Sequence, residues 1–155
     1  METLAARIHK YLYLACCYSR FAFRKQILSM PLYIQVQTNS ACNGNCVFCP
    51  YPEVSRSLPQ GSMDNRLYAR IVNEISRSRI PTRLIFDLHN EPLIDSRALR
   101  MIKDFKNSNP DKKCRMVTNG LLIDRYLEED FVNSGVDQWT ISLNAHSEEG
   151  YAAVC

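Results

Sequence analysis

Three cysteines stand within eight positions of the stretch "NSACNGNCVFCPYP", at Cys42, Cys46 and Cys49. The spacing is C-x3-C-x2-C, so one loop presents three thiolates to one place. A structural zinc site takes four ligands, usually as two close pairs far apart in the chain. Here the fourth would have to come from Cys114, His89, Cys16 or Cys17. A redox pair formed by Cys46 and Cys49 is a second reading, and it leaves Cys42 without a role. An iron–sulfur cubane uses all three, because thiolates are its usual ligands. With three thiolates instead of four, one iron keeps an open coordination position. Catalytic metal sites have such a position and structural ones do not.

The remaining composition narrows the setting. The chain has 155 residues, 46% of them apolar and 23% charged, as in ordinary globular domains. A net charge of +3, with mixed-sign runs such as "IKDFKNSNPDKKCR", does not point to nucleic acid or an acidic membrane surface. Seven cysteines are an odd number, and three of them share a loop, which is poor material for a disulfide framework. A reducing, cytoplasmic setting is expected. No apolar run reaches the ~20 residues of a membrane span. At the N-terminus, Leu4, Ile8, Tyr11, Leu12 and Ala15 recur at helical spacing. Residues 1–30 are therefore expected to form a helical segment rather than a signal peptide; it could rest on a membrane surface through its Arg and aromatic residues, but packing on the rest is the expectation.

The elements that must position the loop can be read from periodicity. "LYIQVQTNS" alternates in the manner of a strand and leads straight into the cysteines. "YPEVSRSLPQGS" reads as an extended loop. Asp64 can cap a helix over "NRLYARIVNEISRS", with Leu67, Ile71, Val72 and Ile75 on one face. A second strand, "RLIFDLHNEP", follows Pro81. Asp95 or Ser96 caps "RALRMIKDFKNS", whose Leu99, Ile102 and Phe105 share a face. "KCRMVTNG" is a third strand, Asp124 opens a helix closed near Gly135, and "DQWTISLNA" is a fourth strand in which Trp139 is expected to be core. Ser147 opens a last helix. Strands that alternate with helices require crossovers, so the fold class is α/β with a parallel sheet and right-handed units.

C-x3-C-x2-C with an aromatic residue, Phe48, before the last cysteine resembles the signature of the radical S-adenosylmethionine (radical SAM) superfamily. Further along, "HNEP" (Glu91, Pro92) resembles the family's Gly-Gly-Glu-Pro segment, with His89 and Asn90 in place of the glycines. "TNG" (Thr118, Asn119, Gly120) and "SLNA" (Ser142, Asn144) resemble family segments at the ends of the third and fourth strands. The resemblance covers residues 31 to about 151. It implies a partial parallel (βα) barrel of radical SAM type over residues 31–155, here about four βα units of a longer barrel. It also implies a [4Fe–4S] cluster on Cys42, Cys46 and Cys49, with SAM at the open iron. Phe48, Glu91, Ser142 and Asn144 would contact SAM, Glu91 facing its ammonium group. In the family, one electron from the cluster splits SAM into methionine and a 5′-deoxyadenosyl radical, which abstracts a substrate hydrogen. An electron donor such as flavodoxin or ferredoxin is implied, together with a peptide or small-metabolite substrate. "CVFCPYP", "GSMD" and "NEPLID" look most like the branch that carries a cysteine-rich SPASM or twitch extension. A zinc-binding module and a non-catalytic remnant of the same fold are the competing expectations.

Overall fold

A computed structural model describes residues 8, 11–19 and 29–155. The chain divides into two units, Met1–Pro31 and Leu32–Cys155. In the first, residues 11–19 are helical (α1). Leu4, part of the expected packing face, lies outside the described residues. The rest of that face is not buried: Ile8, Tyr11, Leu12 and Ala15 are exposed.

The second unit is built on four short strands, β1 (Tyr33–Val36), β2 (Arg83–Phe86), β3 (Cys114–Thr118) and β4 (Gln138–Ile141). They pair in chain order, all parallel, with Val36 opposite Phe86 and Thr118 opposite Ile141. The sheet with its alternating helices is a partial parallel (βα) barrel, as expected. Helix α2 (Tyr51–Ser57) corrects the extended loop expected there. Pro52 sits in its first turn, where a missing N–H is harmless. The Pro50 carbonyl accepts from the N–H groups of Glu53 and Val54 at 3.1 and 3.0 Å.

Asp64 caps α3 (Asn65–Arg77), its Oδ1 accepting from the Arg66 N–H at 2.7 Å. The buried face of α3 is Tyr68, Val72 and Ile75; Leu67, expected in the core, is exposed. Tyr68 takes that place because its hydroxyl finds an acceptor, donating to the Met101 carbonyl at 2.6 Å. Helix α4 (Ala98–Ser108) buries Leu99, Ile102 and Phe105 as expected, along with Ala98 and Met101. Asp95 steadies its start by accepting the Arg97 N–H at 3.0 Å.

Strand β2 ends at Phe86, not at Pro92, and Pro92–Ile94 forms a single 3-10 turn. Asp124 does not open a long helix. It lies in another 3-10 turn, Ile123–Arg125, and α5 is Glu128–Asn133. The α5 start is set by Asp130, whose carboxylate accepts the Leu127 N–H at 3.0 Å. Gly135 follows with φ +75°, the left-handed conformation that a helix end favours. Ser147 caps α6 (Glu148–Val154), accepting from the Gly150 N–H at 3.1 Å. Trp139 is half-buried, edge-on to Phe131 at 5.3 Å between ring centroids.

Candidate metal centre and cofactor site

In parallel βα units the loops that leave the strand C-termini gather on one face. The cysteine loop leaves β1 there and is tied to the loop of each other strand. Asn39 begins it: its Oδ1 accepts the Ala41 N–H at 2.7 Å, and its Nδ2 donates to the Glu91 carbonyl at 3.1 Å. The Glu91 N–H returns a bond to the Ala41 carbonyl at 2.9 Å, which joins the loop to the end of β2. The second tether runs to β3, where Asn119 Nδ2 donates to Asn43 Oδ1 at 2.8 Å. The third comes from α6, after β4. The N–H groups of Asn45 and Val47 donate to the carbonyls of Cys155 and Val154 at 3.3 and 3.0 Å. Cys46 lies between these two bonds.

The sulfurs themselves are half-buried. The Gly44 N–H donates to Cys42 Sγ and the Tyr51 N–H to Cys49 Sγ, each at 3.4 Å. Such bonds stabilise thiolate and tune any metal that it binds. Gly44 sits between two of the sulfurs: a Cβ there would lie 3.5 Å from Cys46 Sγ and 3.7 Å from Cys42 Sγ. A methyl group there would meet both sulfurs at ordinary van der Waals distance. Burial pushes the Cys42 thiol up, as does the Glu91 carboxylate, against the opposing Gly44 N–H. Burial and a hydrogen bond with Cys155 push Cys46 up to about 11. Among the described residues no three His, Cys, Asp or Glu side chains converge as the ligands of one metal ion do. A cubane instead spreads its thiolates over separate iron corners. Three soft donors on one tethered loop, two of them already accepting N–H groups, fit that group.

Cys114, a candidate fourth zinc ligand, lies at the start of β3, the end of the sheet away from the cysteine loop. It is buried, and burial raises its thiol to about 12. His89 is exposed.

Glu91 is 2% exposed, and three groups hold its carboxylate. Oε1 accepts from Thr118 Oγ1 at 2.7 Å and from the Leu93 N–H at 3.0 Å, and Oε2 from the Asn119 N–H at 2.8 Å. The "NEP" and "TNG" segments therefore form one buried hydrogen-bonded unit. Phe48 is 61% exposed, with its ring open to solvent at the loop tip. Ser142 continues the sheet, its N–H donating to the Thr118 carbonyl at 2.9 Å. Exposed Asn144 donates from Nδ2 to Cys155 Sγ at 3.4 Å.

Several residues at this face were not singled out from sequence. Asn39 and Asn43 act through partners distant in the chain, which no local pattern reveals. Cys155, at the end of α6, adjoins Cys46. Both polar atoms of the Asn90 side chain are buried with no hydrogen-bond partner among the described residues. Close by, Leu88 holds φ +141°, a strained value for a residue with a side chain, so this loop stores strain beside the site.

The family model of the radical SAM superfamily matches residues 36–155. The chain belongs to that superfamily. As a radical SAM protein it is 24% identical over 121 residues to an S-adenosyl-L-methionine-dependent 2-deoxy-scyllo-inosamine dehydrogenase of Niallia circulans. That match takes in 78% of this chain and 48% of the dehydrogenase. It is 27% identical over 124 residues to a GTP 3′,8-cyclase of Clostridium botulinum, covering 79% of this chain and 38% of the cyclase. The chain thus spans about half the length, or less, of these curated relatives. Among solved structures, BtrN in complex with AdoMet and 2-DOIA superposes with a TM-score of 0.66 at 24% identity, covering 83% of this chain and 52% of that one. An open conformation of BtrN superposes with a TM-score of 0.63 at 23% identity. These two likenesses concern the fold.

Proposed function

We propose that this radical SAM protein holds a [4Fe–4S] cluster on Cys42, Cys46 and Cys49 and binds SAM beside it. The observation that carries this reading is the cysteine loop: three thiols, two of them accepting backbone N–H groups, on a loop tied to the segments that follow β2, β3 and β4. When bound, the cluster supplies the electron that cleaves SAM to methionine and a 5′-deoxyadenosyl radical, which takes a hydrogen atom from substrate.

The chain's own residues bind and orient. Asn39, Asn43 and the carbonyls at the end of α6 keep the loop in one conformation, so little ordering is left for the metal to impose. Glu91 keeps the strand ends together and places negative charge near the position proposed for the SAM ammonium. Asn90, with its amide unpartnered, offers a donor and an acceptor beside it. Ser142 and Asn144 are proposed to reach the ribose or carboxylate, and Phe48 to cover the cofactor. A small-metabolite substrate is favoured over a peptide, because the relatives are named for inosamine and GTP chemistry. The electron comes from a flavodoxin- or ferredoxin-type donor. We assign the chain to the SPASM or twitch branch on the strength of its loop sequences.

Anaerobic reconstitution with iron and sulfide, followed by assay for 5′-deoxyadenosine under reducing conditions, tests the reading. Four irons per chain with a charge-transfer chromophore, lost in Cys→Ala variants of the three cysteines, is the expected outcome. Tight zinc uptake with no chromophore would sink it. Radical chemistry needs exclusion of water, so a cluster that forms without SAM cleavage would identify a binding but non-catalytic form.

A further inference from the structure

We propose that Arg83 and Arg115 form an oxyanion site on the inner face of the sheet and hold a phosphate or carboxylate group of the substrate. The inference rests on the radical SAM reading above and names the substrate class of that site. Side chains alternate along a strand, so each face of the sheet follows from the register. Gln35, Ile85, Arg115 and Gln138 form one row across all four strands. Arg83, two residues before Ile85 and opposite Tyr33, belongs to the same face. Helices cover the other face: Phe86 meets Tyr68 of α3 with ring centroids 6.1 Å apart, and Trp139 meets Phe131 of α5. In parallel βα units the face away from the helices is the interior, and the loops after the strands open onto it.

Both guanidinium groups lean toward the strand ends that carry the cysteine loop. Arg83 Nη1 donates to Gln138 Oε1 at 3.2 Å, and Gln138 stands one row further along than Arg83. Arg115 Nε donates to Thr140 Oγ1 at 3.1 Å, again one row further along, and Ser142 follows Thr140 by two residues. One row is roughly 7 Å of strand. The Arg83 guanidinium also lies 6.0 Å from the Tyr33 ring centroid, which steadies it. Among the described residues neither arginine forms an ion pair with a carboxylate. Arg97, by contrast, is held by Asp95 at 2.8 Å. Asp87, just beyond β2, turns its Oδ1 to the Leu88 N–H at 2.7 Å. A guanidinium carries several N–H donors in a planar fork that fits phosphate or carboxylate. Each of these two gives the protein one bond, which leaves the rest of each fork for a ligand. Two unneutralised like charges on adjacent strands also repel, and an oxyanion between them relieves that repulsion.

Isothermal titration calorimetry of the metal-free full chain with pyrophosphate and, separately, with succinate is the test. At least one of the two should bind with a Kd of about 1 mM or tighter. Tighter pyrophosphate binding marks a phosphate-bearing substrate, and tighter succinate binding a carboxylate-bearing one. Arg83→Gln and Arg115→Gln should each weaken that binding about tenfold, the worth of a charge-assisted hydrogen bond. Arg115→Lys keeps the charge without the fork and should recover only part of the loss. Arg70→Gln, which removes one positive charge from the exposed side of α3, should leave binding unchanged. In chain reconstituted with iron and sulfide, both Arg→Gln variants should keep the parent's SAM affinity. Binding of neither anion, or a loss in Arg70→Gln as large as in the other two, would overturn the proposal. So would a matching loss of SAM affinity, since the carboxylate of SAM itself would then occupy the site. If the parent forms the iron chromophore yet binds neither anion, the substrate class falls and the cluster reading stands. If it binds anion but never forms the chromophore, the cluster reading falls and the arginines lose their substrate role.

Discussion

Cys46 and Glu91 are the two side chains whose surroundings say most about the loop. Burial and the Cys155 hydrogen bond hold Cys46 in the thiol form, with its pKa pushed up to about 11. A raised value means less thiolate at neutral pH, and thiolate is the reactive form. Alkylation of Cys46 in the metal-free protein should therefore rise with pH well above the range of a free cysteine. Cys155→Ala should bring that profile back toward lower pH; mass mapping of iodoacetamide adducts reads it directly. Glu91 accepts three hydrogen bonds while buried, so Glu91→Gln leaves donors facing an NH2 group. The expected loss is about 2 kcal/mol, which for a chain of this size is roughly 5 °C in melting temperature. If Glu91 served only the cofactor, stability without cofactor would be unchanged and SAM affinity alone would fall.

At the scale of elements, short strands depend on the groups that join them to helices. Asp137, just before β4, accepts from Lys113 Nζ and Lys106 Nζ, each at 2.9 Å, and from the Cys114 N–H at 2.8 Å. It thus joins the entries of β3 and β4 to α4. Burial pushes its carboxyl up, but the bonds from Lys113, the Cys114 N–H and Lys106 outweigh this and hold it below the ordinary 3.8. A carboxyl lowered on folding stabilises the folded state above its unfolded value, and that contribution is lost as pH falls through the folded one. Asp137→Asn should therefore cost about 1–3 kcal/mol at neutral pH. The difference from the parent chain should close in acid, below about pH 4. Urea titrations at several pH values measure it.

Across the whole molecule, the sheet and its helices share one core. Phe86, Phe105, Ile75 and Leu84 are all fully buried, Phe105 on α4, Phe86 and Leu84 on β2 and Ile75 on α3. Phe105→Ala should cost about 3–5 kcal/mol. Because the loop has no core of its own, its order should be lost with that of the sheet. Protection of Cys42 and Cys49 against alkylation should then disappear at the same urea concentration as far-UV circular dichroism. Separate transitions would mean that the loop melts independently.

Much of this was legible from residue order. Alternation in "LYIQV", the Leu99, Ile102 and Phe105 spacing, Asp64, Ser147 and Gly135 are local signals, and local geometry obeyed them. The α2 helix was hidden because Pro50 and Pro52 suggest a loop when their place in a first helical turn is not visible. The short α5 was misplaced because Asp124 and Asp130 are both plausible starts, and only Asp130 finds the Leu127 N–H. The sequence by itself determined the thiol chemistry of the loop and the parallel βα order, since ligand type, spacing and hydrophobic period are properties of neighbouring residues. Only the tertiary structure decided that Asn43 meets Asn119 across 76 positions, that Thr118 holds Glu91, and that Cys155 reaches Cys46. Those contacts depend on which loops and faces the folded sheet brings together, and no short stretch of chain encodes that meeting alone.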